Sequence, residues 1–99
     1  MKTSELTGAA LDWAVTKAEG FDCEVTSSNW GMNGWATDWA QGGAIIERER
    51  ICLIDQGGDY WRALRGWKEE SGDTPLEAAM RCHVAFQLGD EVDVPKELL

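Results

Sequence analysis

The sequence predicts an α+β domain: a small antiparallel sheet of about three or four strands packed with two main helices, near residues 8–19 and 75–88. Three observations carry that reading. Thr74-Pro75-Leu76-Glu77 is a helix-start signature, and the mostly apolar stretch behind it stops at Gly89. Leu11, Ala14, Val15 and Ala18 recur at the spacing of one helical face. Between the two, Ile51-Cys52-Leu53-Ile54 and Tyr60-Trp61-Arg62-Ala63-Leu64-Arg65 flank Gln56-Gly57-Gly58-Asp59, the pattern of a hairpin.

The first helix is expected to be capped by Thr7 and stopped by Gly20. Leu6 and Leu11 have the spacing of a hydrophobic staple across its start, and Trp13 falls at the edge of its apolar stripe. Phe21-Asp22-Cys23-Glu24-Val25-Thr26 alternates apolar and polar residues, as a half-buried strand does. Residues 27–43 read as a long loop, with one helical turn capped by Thr37 or Asp38. Ala44–Arg50 reads as a short helix near 45–50 followed by a strand, the alternative being one long strand from Ala44. Leu76, Ala78, Ala79, Met80, Cys82, Val84, Ala85, Phe86 and Leu88 leave the last helix only a narrow polar side. It is therefore expected to be the central buried element. Val92 and Val94 suggest a short edge strand that Pro95 blocks from extending. No repeat or linker divides the chain, so residues 1–99 are read as one domain.

The formal charge is −9, and it is unevenly spread. Residues 1–44 carry two basic and six acidic groups, residues 45–68 five and four, and residues 69–99 two and eight. Such a field repels phosphates, so direct nucleic-acid binding is not expected. The N-terminal Met1-Lys2-Thr3-Ser4-Glu5 has no apolar run behind a basic start, which predicts no secretion signal and residence in the cytosol. No stretch has the length of a membrane span. Cys23, Cys52 and Cys82 are odd in number and lack metal-ligand spacing. They are read as buried apolar thiols, with no metal or cofactor expected.

The residues offer no catalytic constellation. His83 is the sole histidine, and Cys82, its sequence neighbour, points about 100° away on a helix. It is read as a core or boundary residue. Glu47 and Glu49 alternate with Arg48 and Arg50, the pattern of a solvated ion-paired face. The tryptophans stand out instead: three of six, Trp30, Trp35 and Trp39, fall in or beside the long loop. Tryptophan is enriched at interface hot spots. Trp30, Trp35, Asp38, Trp39 and Gln41 are accordingly the candidate contact residues of a non-enzymatic protein-binding module. Two alternatives remain open: an anionic metabolite or nucleotide pocket using Arg48, Arg50 or Arg62, and an acidic DNA mimic that inhibits a host nuclease or defence complex.

Three segments together resemble a known family. They are Ser4-Glu5-Leu6-Thr7-Gly8-Ala9-Ala10-Leu11-Asp12-Trp13-Ala14-Val15, then Thr37-Asp38-Trp39-Ala40-Gln41-Gly42-Gly43-Ala44-Ile45-Ile46-Glu47-Arg48-Glu49, then Thr74-Pro75-Leu76-Glu77-Ala78-Ala79-Met80-Arg81-Cys82 with Leu88-Gly89-Asp90-Glu91-Val92. The chain resembles the NinX-like proteins of lambdoid phages and prophages. It departs from their pattern at Ala44, where proline is common, and at His83, where an aromatic is. The resemblance implies a phage origin, the cytoplasm of a bacterial host, an accessory role during infection and a host or phage protein as partner. It implies no reaction.

Overall fold

A computed structural model of the chain describes residues 1–20 and 34–98. The strand expected at Phe21–Thr26 lies outside the described residues, as do Cys23 and Trp30. Three helices and a three-stranded antiparallel sheet form the α+β arrangement: α1 (Gly8–Ala18), α2 (Trp39–Glu49), β1 (Cys52–Asp55), β2 (Trp61–Arg65), β3 (Lys68–Gly72) and α3 (Pro75–Leu88).

The centre is α3, as its composition predicts. Leu76, Ala78, Ala79, Met80, Cys82, His83, Val84 and Ala85 are all buried, and α3 packs against α1, α2 and all three strands. Its start is held by the expected side chains. Thr74 Oγ1 accepts from the Glu77 N–H at 3.1 Å, while Glu77 Oε1 accepts from the Asp73 N–H at 3.2 Å. The return bond thus reaches one residue further back than in the usual capping box. At the other end the Gly89 N–H bonds the Ala85 carbonyl.

α1 buries Leu11, Ala14 and Val15 against α3, and Leu6 is fully covered as the staple requires. Thr7 takes the extended backbone of a cap, but its hydroxyl makes no cap hydrogen bond. Trp13, off the centre of the stripe, is buried as well.

The sheet has the order β1-β2-β3, with Leu53, Ala63 and Glu70 in register. Ala63 is buried and Leu53 packs on the core from the same face. Gly72 lets β3 meet α3 closely: a Cβ there would lie 2.7 Å from the Ala78 backbone nitrogen. Arg81 of α3 donates to the Ser71 carbonyl at 2.8 Å, and the Cys82 thiol sits 3.7 Å from the Lys68 carbonyl.

Three expectations need correction. The helix placed near 45–50 begins at Trp39 and runs through Gly42-Gly43, which the sequence places in the loop. Tertiary packing outweighs the weak helix propensity of glycine, because Gly42 is buried against Trp35 and Leu76. The remaining strand is the polar β3, whereas Val92–Val94 forms no strand; only an isolated bridge joins Lys2 and Glu91. Finally, Cys52 is exposed while Cys82 is buried, so burial does not hold for both thiols. Burial pushes the Cys82 thiol up to about 11, leaving it un-ionised at neutral pH.

Candidate functional site

α2 and α3 begin side by side, and a groove of about 260 Å³ opens between their starts. Ala36, Thr37 and Trp39 form one wall; Thr74, Pro75 and Leu76 form the other. Proline suits the first turn of a helix because its missing N–H would have no partner there. It also supplies a rigid apolar surface facing Trp39.

The α2 side is braced from below. The Trp35 indole N–H donates to Thr16 Oγ1 of α1 at 2.9 Å, and the Ala36 N–H donates to Asp12 Oδ1 at 3.1 Å. Burial raises the Asp12 carboxyl, opposed by that backbone bond. Asp38 caps α2 by accepting from the Ala40 N–H at 2.9 Å. Gln41 Oε1 accepts from the Gly34 N–H at 2.9 Å, while its amide nitrogen reaches Asp38. With these groups fixed, Trp39 stands at the start of α2 with 55% of its surface exposed.

The sequence candidates therefore sort by role. Trp35, Asp38, Trp39 and Gln41 do come together at the α2 start, but only Trp39 is both largely exposed and on the groove. Trp35 is a partly buried strut. Asp38 and Gln41 set the backbone. Trp30 lies outside the described residues. Of Pro75 and Leu76, on the opposite wall, the sequence shows only the helix start and the core, because nothing in it links residue 39 to residue 75.

The three arginines of the alternative pocket do not converge. Arg48 grips Glu19 with both terminal nitrogens, at 2.8 and 2.7 Å, and Glu49 with Nε at 2.6 Å. Arg50 ends α2 in the left-handed conformation. Arg62 pairs with Glu69 on the outer face of the sheet. It lines a shallow groove of about 250 Å³ with Tyr60, Glu69, Glu70 and Ser71, where carboxylates outnumber bases.

A second cluster was not legible as such. His83, fully buried on α3, lies 2.8 Å from Glu19 Oε2. Glu19 is an acceptor, so the neutral ring carries its proton on Nε2. Arg48 then links Glu19 to Glu49, and Arg65 of β2 meets Glu49 at 2.6 Å. The Arg65 guanidinium lies 3.6 Å over the Phe86 ring, which also packs against the exposed Trp67. The cluster ties the end of α1 to α2, β2 and α3. Alternating charge at residues 47–50 hinted at ion pairing, but not at these partners.

This cluster gives the protein a pH dependence. Desolvation lowers the His83 pKa, outweighing the opposite pull of Glu19. Arg48 holds the Glu19 carboxyl low, and likewise that of Glu49. An unfolded chain takes up a proton on His83 first, so this contribution is present above the ordinary value near 6.5 and fades as pH falls below it. The carboxylate contributions are present above the ordinary value of 4.5 and are lost as pH drops through the folded values. Half-buried Asp12 and Glu70, whose carboxyls are raised by desolvation, act in the opposite sense. A His83→Gln variant separates the terms. Its melting temperature should fall less than that of wild type between pH 7 and pH 5. Parallel curves would show that His83 does not titrate differently in the two states.

Among the described residues, no group of three or more His, Cys, Asp or Glu side chains is placed to hold a metal ion, and no helix is long and apolar enough to cross a membrane. Comparison with curated proteins finds no match. The family model described as bacteriophage P22, NinX matches residues 2–87. That span takes in α1, the whole α2–α3 groove and the sheet, so the chain belongs to the NinX family of bacteriophage proteins.

Proposed function

We propose that this phage accessory protein is a non-enzymatic binding module that docks a host or phage protein through the groove between Trp39 and Pro75. One observation carries the reading: a largely exposed indole stands on a rigid wall of an apolar recess. Aromatic anchors beside well-packed recesses are where binding energy concentrates. The volume, about 260 Å³, falls below the roughly 300–1,000 Å³ of typical small-molecule sites. It suits a side chain of a partner better than a nucleotide. The anion-pocket alternative has less support, since Arg48 and Arg62 already face carboxylates.

The test is capture of partners from infected host cells with wild type and with Trp39→Ala. The truncation should weaken the complex by about 30-fold or more, the effect of a hot-spot residue. The melting temperature should stay close to that of wild type, because the ring is not part of the core. Equal capture by both proteins would remove the groove as the docking site.

A further inference from the structure

Resting on that reading of the groove, we infer that its occupant is a basic, apolar-anchored segment of a protein: one apolar side chain seated between Trp39 and Pro75, with flanking arginine or lysine over the rim. The argument is charge complementarity. The stretches that line the walls, residues 36–39 and 74–76, together with the residue on either side of the second, contain Asp38, Asp73 and Glu77 and no lysine or arginine. Glu77 has an arginine partner; among the described residues Asp38 and Asp73 have no ion-pair partner. Asp38 and Asp73 are each next in sequence to a groove-lining residue, on opposite walls, and both are exposed.

The nearest bases in sequence are already engaged. Arg81 is held by Glu77 and by the Leu6 and Ser71 carbonyls. Lys68 pairs with Asp90, and Arg48 with Glu19 and Glu49. Arg50 stands at the opposite end of α2 from Trp39, so none of these bases is placed to neutralise the rim. Acids at the starts of α2 and α3 are tolerated there because the helix dipoles favour negative charge, so the site holds its charge without strain. A partner approaching this surface gains by carrying positive charge, and an arginine has the open indole as a further platform. Phosphate is repelled by the same rim, which separates a basic protein segment from a nucleic acid.

The inference is tested on the intact protein by fluorescence anisotropy with labelled synthetic peptides. One series alternates leucine with arginine; its counterpart carries glutamate in place of arginine. The arginine series should bind at least about tenfold more tightly at low salt, weaken as salt is raised, and lose binding to Trp39→Ala. The variant Asp73→Asn should weaken it roughly two- to fivefold, as expected for an exposed charge pair. Equal binding of both series with dependence on Trp39 overturns the charge assignment while the groove stands. Binding of the arginine series that ignores Trp39→Ala overturns the groove itself. Absence of binding in both series overturns the basic-segment assignment, and cell-extract capture with Trp39→Ala then decides the groove separately.

Discussion

Truncating Met80 to alanine should lower stability by roughly 2–5 kcal/mol, the range for long apolar side chains removed from a closed core. Met80 is fully buried on α3, the helix against which every other major element packs. Because α3 packs against α1, α2 and the sheet, no single shift is expected to close the void. Urea titration should show an earlier midpoint with little change in slope. Trp67→Ala is the control. That ring is larger but 82% exposed, so its loss should cost far less. A Met80→Ala protein within about 0.5 kcal/mol of wild type would show that α3 is not the centre of the core.

Gly42→Ala sets two effects against each other. Alanine in mid-helix is favoured over glycine by about 1 kcal/mol. Yet a Cβ at residue 42 would lie 2.3 Å from the Trp35 carbonyl oxygen and 2.6 Å from Leu76 Cδ2. Leu76 has some freedom to yield. The Trp35 carbonyl has little, because its indole is bonded to Thr16 and the following amide to Asp12. Overpacking of this kind costs about 1–3 kcal/mol or more, so the clash wins and the variant should melt earlier. Gly43→Ala should do the reverse. Its Cβ meets only Trp39 Cε3 at 3.6 Å, an ordinary contact, and the propensity gain of up to about 1 kcal/mol survives. The pair measured side by side by thermal denaturation decides the matter: a stable Gly42→Ala protein would mean that α2 does not lie so close to Trp35.

The sequence shows its helices where local chemistry and packing agree. Thr74, Pro75 and Glu77 mark the start of α3, Gly89 marks its end, and the apolar run between them demands cover. The hairpin of β1 and β2 is equally plain from Gly57-Gly58 between two apolar stretches. β3 is not, because Lys68-Glu69-Glu70-Ser71-Gly72 has neither alternation nor strand-favouring side chains. Its pairing with β2 and the fit of Gly72 against Ala78 make it a strand, and both are long-range facts. The start of α2 is hidden for a related reason: paired glycines read as a breaker until Trp35 and Leu76 show why residue 42 must be small.

The candidate site divides in the same way. Trp39 stood out because a loop rich in tryptophan is unusual. The role of Trp35 as a strut depends on Thr16, on another helix, and cannot be read from its neighbours. His83 could be placed in the core from its apolar surroundings on α3. Its partner Glu19 lies 64 residues away, with no pattern to connect them.

The hold of α3 on the outer strand has a consequence for how the protein behaves in a crowded solution. A bare strand margin invites other chains to add to it, and charge along such a margin discourages them. On β3 the Ser71 carbonyl is taken by Arg81, and Lys68, Glu69 and Glu70 follow one another along the strand. Sheet growth on that side would have to displace a guanidinium and lay a new strand along a run of charged side chains, which disfavours fibre-like addition at β3.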